Sequence, residues 1–251
     1  DITGTRGIGH TRWATHGEPN TANAHPHLSQ SGDIALIHNG IIENYATLKK
    51  VLVQRGHTFK SDTDTEVLIH LIEEIKINEK VDLLEAVRLA INEVIGAYAI
   101  VLLSKNDPNT LIAARKGSPL VVGISDTKGE FFLASDATPI VEYTKTVTYI
   151  DDNEIVSIHD GEMTIKTIDN VHKSAFMQQL EISLDFLEKG GYEHFMLKEI
   201  FEQPKSIYDS MRGRFDPVNL TFAMRSLEEY ASKIKNLDRI YKASTGQKTF
   251  Y

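Results

Sequence analysis

The chain has 251 residues, with 27 Lys and Arg against 35 Asp and Glu for a net charge of −8, and no basic run or stripe. That balance argues against nucleic acid and anionic membrane as partners, because both require clustered cations to meet phosphates. The absence of cysteine rules out disulfides, thiolate zinc sites and a cysteine nucleophile within these residues. No apolar run is long enough to span a bilayer and the opening "DITGTRGIGH" lacks the order of a signal peptide, so a cytosolic setting is expected.

The opening stretch lacks helical periodicity and reads as a strand entering a loop. Ile34 to Ile37 form a short apolar strand that runs into His38-Asn39-Gly40. From Glu43 the spacing turns helical, with Tyr45, Leu48 and Leu52 on one face and Gly56 at the C-terminal stop. "HTFKS" reads as a brief strand. "SDTDTEVLIHLIEEI" then opens a second helix with Ser61, Asp62 and Thr63 as candidate caps, and a third covers about Leu83 to Val94. The rhythm then changes to strands: "AYAIVLLS", "NTLIAAR", "LVVGI", "EFFLAS", and an alternating stretch to Ile168 with Asp160-Gly161 as a hairpin turn. Helices combined with many antiparallel strands indicate an α+β layered fold. From Phe176 a charged helical pattern dominates; Pro204 should end or kink its helix, Gly190-Gly191 suggests a boundary, and Ser226 to Lys235 reads as a final amphipathic helix.

Five of the ten histidines, His10, His16, His25, His27 and His38, fall in the first 38 residues. Their spacing lacks the i, i+4 helical pair and the thiolates of zinc motifs, so loop histidines bonded to backbone carbonyls are the better reading of His25 and His27. Asn39-Gly40 could be a hairpin turn, but alternation fails on its far side. A strand-to-helix loop fits better, where the Asn amide and the Gly N–H could offer two donors to one developing oxyanion. Asp62, Asp64 and Glu66 suit a helix N-terminus by capping and macrodipole alone; alternatively, one of them could bind an ammonium group. Arg12 has a fork that matches a carboxylate. If Arg12 held a carboxylate and an acid an ammonium, the ligand would be an amino acid.

"GIGHTRWATHGEPNTANAHPH", "HNGIIENYATLKKVLVQRGHTFKSDTDTEVL", "GSPLVVG", "ASD" and "HFMLKEIFEQP" together resemble the glutamine amidotransferase part of the glutamine–fructose-6-phosphate aminotransferase (glucosamine-6-phosphate synthase) family, over about Thr5 to Arg214. The resemblance implies the four-layered αββα sandwich of N-terminal-nucleophile hydrolases. It implies an N-terminal cysteine that attacks the glutamine amide, with the released ammonia passing to a sugar-isomerase domain. Carried over, Arg12 clamps the glutamine α-carboxylate with Thr15 and His16 beside it, Asp64 binds the α-ammonium, Asn39 and Gly40 form the oxyanion hole, and Trp13 stands near the ammonia exit. Glutamine and fructose 6-phosphate are the implied substrates, a homodimer the implied assembly of the full-length protein, and no metal or organic cofactor is implied.

The family's leading segment with its cysteine is not in this chain, and "DRIYKASTGQKTFY" only faintly echoes the phosphate-binding turn that opens the isomerase domain. The expected organisation is a glutaminase domain truncated at its N-terminus over 1–187, a helical linker over 188–214 and the start of the isomerase domain over 215–251, the isolated chain being inactive. The alternatives are another amidotransferase of the group, such as the phosphoribosyl pyrophosphate type, or a non-catalytic glutamine-binding module.

Overall fold

The structure, a computed structural model, describes residues 4–12, 17–127, 129–180, 189, 191–211, 215–216 and 221–222. It divides into two compact units, Asp1–Glu181 and Ile182–Tyr251, the division falling ahead of the expected boundary at 187/188.

Strands β1 (His27–Leu28), β2 (Ile34–Ile42), β3 (Gly96–Ser104) and β4 (Asp107–Lys116) belong to one seven-stranded antiparallel sheet of the first unit. Its other members are β8 (Glu154–His159), β9 (Glu162–Thr167) and β10 (His172–Lys173), in the order β1-β2-β3-β4-β8-β9-β10. A second, four-stranded sheet has the order β11-β7-β5-β6, from β5 (Val121–Ile124), β6 (Phe131–Ala134), β7 (Thr146–Tyr149) and β11 (Gln178–Gln179). Helices α1 (Tyr45–Gln54), α2 (Asp64–Asn78) and α3 (Leu83–Asn92) connect β2 to β3.

The near-continuous apolar run of β3 is explained by two cores, one on each face. Tyr98, Ile100 and Leu102 point to the helices, where they meet Leu68, Ile69 and Ile72 of α2 and Val87 and Ala90 of α3. Ala99 and Val101 point the other way, against Leu120, Val122 and Ile150 from the second sheet's side. A strand buried on both faces needs apolar residues at successive positions rather than alternate ones. The outer face of the second sheet carries a third, smaller cluster of Val121, Ile140 and Val147. Ile140 comes from the turn segment 137–144, held by the Ile140 and Val141 N–H groups donating to Ala137 O. The layers therefore run helices, sheet, sheet, with the successive turns of 137–144 against the outer face among the described residues. Helices, sheet and sheet follow the first three layers of the expected αββα order.

Three expectations are corrected. Among the described residues the opening stretch contains no strand; Ile8 packs against the second core and Arg6 donates to Asn109 Oδ1 at 3.2 Å, without a ladder. "HTFKS" is not a strand either, because side chains take its backbone: Thr58 N–H donates to Gln30 Oε1, and Lys60 and Ser61 N–H donate to the Glu66 carboxylate. Asn39-Gly40 is not a loop; β2 runs through it, with Asn39 opposite Ala99, Gly40 opposite Tyr98 and Ile42 opposite Gly96.

Helix ends follow the sequence more closely. Thr63 caps α2 by accepting from Glu66 N–H, Asp82 caps α3 by accepting from Glu85 N–H, and α1 stops at Gly56, whose φ of +94° only glycine adopts readily. Asp160 and Gly161, both at positive φ, make the β8–β9 turn.

In the second unit, α4 (Phe195–Met211) continues through Pro204, so the proline does not end it. The missing N–H removes one intrahelical bond while the amphipathic pattern continues on both sides. β12 (Phe215–Asp216) and β13 (Thr221–Phe222) pair antiparallel. The expected helix over Ser226 to Lys235 lies outside the described residues. Among the described residues no helix is long and apolar enough to cross a membrane.

Candidate functional site

A cavity of about 240 Å³ opens where β2 outruns β1. Pairing with β1 stops at Leu36, while β3 follows the opposite edge as far as Ile42. Backbone groups of a strand alternate between its two edges. Ile34 O accepts from Ser29 N–H at 2.9 Å on the β1 edge, and Glu43 N–H turns to Ile95 O at 2.8 Å on the β3 edge. Ile42 N–H, of the same parity as Ile34, donates to Asp64 Oδ2 at 2.8 Å. Gly40 shares that parity, which places its N–H on the β1 edge, where the cavity lies.

Four segments enclose this space: His10 and Arg12 of the opening loop, His25, the β2 stretch from His38 to Ile41, and the α2 start from Thr63 to Thr65. Gly40 has φ +129°, and a Cβ there would overlap the Ala97 carbonyl oxygen, so only glycine lets β2 and β3 close up at this point. Asp64 is 3% exposed in the first turn of α2, and its bond from Ile42 N–H fixes the carboxylate at the cavity wall. Glu66 works differently. Burial alone would raise it, but Ser61 Oγ and the N–H groups of Lys60 and Ser61 outweigh that and hold it below the usual carboxylate range. It braces the turn that presents Asp64. Asp62 lines a separate surface hollow with Tyr45 and Lys49. Of the three acids in "SDTDTE", only Asp64 lines the cavity.

Arg12 sits in the left-handed region at φ +55°, and its guanidinium donates to Glu18 O at 3.0 Å and Gly17 O at 3.1 Å, tying the fork to its own loop beside the cavity. Trp13, Thr15 and His16 lie outside the described residues.

His27 makes the expected kind of backbone bond, with Asn23, and the imidazoles also bond to threonines. His38 Nδ1 lies 3.0 Å and His25 Nε2 3.3 Å from Thr65 Oγ1, and His27 Nε2 lies 3.0 Å from Thr63 Oγ1. Burial, reinforced by the charges of His10, His27, His38 and Arg12, pulls His25 down to about 3. Burial also lowers His27, with Arg12 adding to the effect while Glu66 and Asp64 oppose it. These two histidines are therefore neutral hydrogen-bonding groups at neutral pH. Thr63 was expected only as a cap, and its bond to His27 and the whole role of Thr65 were missed by sequence reasoning. The signal was present in the alternation of Thr with Asp at an N-cap, which places one hydroxyl at the cap and another two residues on.

The cavity thus combines a cation, Arg12, an anion, Asp64, and two donors, Gly40 N–H and the Asn39 amide, in a space below the roughly 300–1,000 Å³ of drug-sized ligand clefts. It suits a small zwitterion bearing a further carbonyl. The family description that matches residues 2–176 is that of a glutamine amidotransferase domain. The chain belongs to that family. Relatives of this amidotransferase chain include glutamine–fructose-6-phosphate aminotransferase (isomerizing) of Bacteroides thetaiotaomicron, 56% identical over 98% of the chain and 40% of the relative. The protein of the same name from Chlorobaculum tepidum is 51% identical over 96% of the chain and 39% of the relative. The chain therefore spans about two fifths of the length of these relatives. Among solved structures, glutamine phosphoribosylpyrophosphate amidotransferase from B. subtilis superposes with a TM-score of 0.53 at 27% identity, over 63% of this chain and 34% of that one.

Proposed function

We propose that this amidotransferase chain is the glutamine-hydrolysing part of a glutamine–fructose-6-phosphate aminotransferase. The observation that carries the reading is the single cavity in which Arg12, Asp64 and the Asn39–Gly40 edge of β2 meet. Arg12 receives the α-carboxylate of glutamine and Asp64 its α-ammonium, the two ends of a zwitterion held by opposite charges. The side-chain amide then extends toward Asn39 and Gly40. When a nucleophile attacks the amide carbon, negative charge builds on its oxygen, where the Asn39 Nδ2–H and Gly40 N–H donate. No cysteine occurs among the 251 residues, so the nucleophile the resemblance implies is not one of them.

Ammonia leaves and is passed on to fructose 6-phosphate, giving glucosamine 6-phosphate and glutamate. Trp13, Thr15 and His16 complete the glutamine side of the pocket and the ammonia exit, residues 188–214 serve as linker and 215–251 begin the isomerase domain. A cytosolic setting and a homodimer of the full-length protein belong to the same reading. The identities of 56% and 51% to aminotransferases of this name favour fructose 6-phosphate as acceptor over phosphoribosyl pyrophosphate.

The test is glutamate release by the full-length gene product with each sugar phosphate. Stimulation by fructose 6-phosphate is expected. Stimulation by phosphoribosyl pyrophosphate alone would assign the other branch of the group, and glutamine binding without hydrolysis under either condition would make the chain a binding module.

A further inference from the structure

The hydrogen bonds around His10 give this residue a task that the roles above do not cover. Its Nδ1 lies 2.9 Å from the backbone N of Arg12, and its Nε2 lies 2.6 Å from Asn39 Oδ1. A backbone N–H can only donate, so Nδ1 must carry its lone pair, and the neutral ring then carries its proton on Nε2. A proton on Nε2 demands an acceptor opposite it. Of the two ends of the Asn39 carboxamide only Oδ1 can accept, so the Nδ2 donors are turned to the other side of the amide plane.

We propose that His10 is a positioning residue, which fixes the orientation of the Asn39 carboxamide so that it offers donors rather than an acceptor to the developing oxyanion. The proposal rests on the reading of Asn39 as half of an oxyanion hole. Left alone, the terminal torsion of an asparagine is broad and nearly two-fold. An amide turned over would aim oxygen lone pairs at a negative charge and convert a stabilising contact into a repulsive one.

The local backbone serves the same end. Arg12 is not a glycine, yet it holds φ at +55°, and the resulting fold-back is what brings its N–H onto the ring two residues earlier. Strain of this kind persists where neighbouring contacts over-determine it. The ring plane is further held by His25, whose centroid lies 4.5 Å from that of His10 and which burial keeps neutral.

The test is a double-mutant cycle on glutamine hydrolysis by the full-length gene product, with kcat and KM measured separately. His10→Phe keeps a flat ring and removes both the Nε2 donor to Asn39 and the Nδ1 acceptor of the Arg12 N–H. It is expected to lower kcat by about a hundredfold, the scale for loss of one oxyanion donor, while any loosening of Arg12 falls on KM. His10→Gln, whose amide nitrogen occupies nearly the place of Nε2, should recover most of the loss. In an Asn39→Ala background, His10→Phe should cost nothing more in kcat, because its effect on turnover passes through Asn39.

Wild-type kcat in His10→Phe together with an impaired Asn39→Ala enzyme overturns the proposal and leaves the oxyanion reading intact. A His10→Phe loss of kcat that persists undiminished in the Asn39→Ala background also overturns it, since His10 would then act on the fold at large. Unimpaired Asn39→Ala turnover removes the oxyanion reading itself and the proposal with it. Should His10→Phe not fold, His10→Asn, whose shorter amide falls short of the Nε2 position, takes its place in the cycle: a kcat loss that vanishes in the Asn39→Ala background supports the proposal, and wild-type kcat or a loss that persists undiminished contradicts it.

Discussion

Replacing Asp64 with asparagine separates two jobs of one carboxylate. Oδ2 accepts from the buried end of β2 at Ile42 N–H, and the negative charge faces a cavity proposed to receive an ammonium group. Asparagine keeps an acceptor for Ile42 and discards the charge; alanine discards both. Removing a first-turn acid from α2 costs roughly 0.3–1 kcal/mol through the helix macrodipole, and either substitution incurs it. Alanine additionally leaves a buried N–H without its acceptor, a further ~1–3 kcal/mol. Asp64→Asn should therefore unfold within about 1 kcal/mol of wild type, and Asp64→Ala well below both. Ligand binding should respond differently. A charge-assisted hydrogen bond contributes about 1.5–3 kcal/mol, so glutamine should bind Asp64→Asn roughly tenfold to a hundredfold more weakly. Urea unfolding and calorimetric titration with glutamine measure the two effects. A folded Asp64→Asn protein that binds glutamine as tightly as wild type would refute the ammonium role, and equal stability of the asparagine and alanine variants would refute the role at Ile42.

Gly40→Ala places a methyl group against the Ala97 carbonyl at φ +129°, so it should cost more than about 1–2 kcal/mol in urea unfolding and displace the Gly40 donor, with loss of turnover in glutamate-release assays. Thr63→Ala removes the α2 cap and the partner of His27, for an expected loss of about 1 kcal/mol in the same unfolding assay and weaker glutamine binding as Asp64 loosens. The folded-state depression of His25 to about 3 means that the unfolded chain takes up protons first as pH falls below the ordinary value of 6.5. Stability is then fully present above that value and declines between about 6.5 and 3. Thermal unfolding from pH 7.5 to 4.5 should show this decline, and His25→Asn should show a shallower one.

The helices were legible because their signals are local: Leu48 and Leu52 share a face, Thr63 and Asp82 cap, and Gly56 stops α1. The two-faced burial of β3 was legible as an unbroken apolar run. What escaped was long-range. Asn39-Gly40 is locally a turn dipeptide, and only its pairing with Tyr98 and Ala99, far along the chain, makes it strand. The misread at His57 to Ser61 has the same origin, since Gln30 and Glu66 take backbone donors that a strand would have used. At the site, Arg12, Asp64, Asn39 and Gly40 could be named from motif resemblance, yet the motif says nothing of which atoms they present. The edge of β2 that bears the Gly40 N–H, the Thr65 hydroxyl shared by His25 and His38, and the His10 bond that orients Asn39 all require the assembled layers.

The most direct measurement is a crystal structure of the full-length gene product with bound glutamine or glutamate. The account predicts the α-carboxylate against the Arg12 guanidinium, the α-ammonium against Asp64, and the side-chain carbonyl oxygen at roughly 2.7–3.1 Å from both Asn39 Nδ2 and Gly40 N, the range of an oxyanion donor. An amino acid bound in the reverse sense, or held away from the β2 edge, would contradict it.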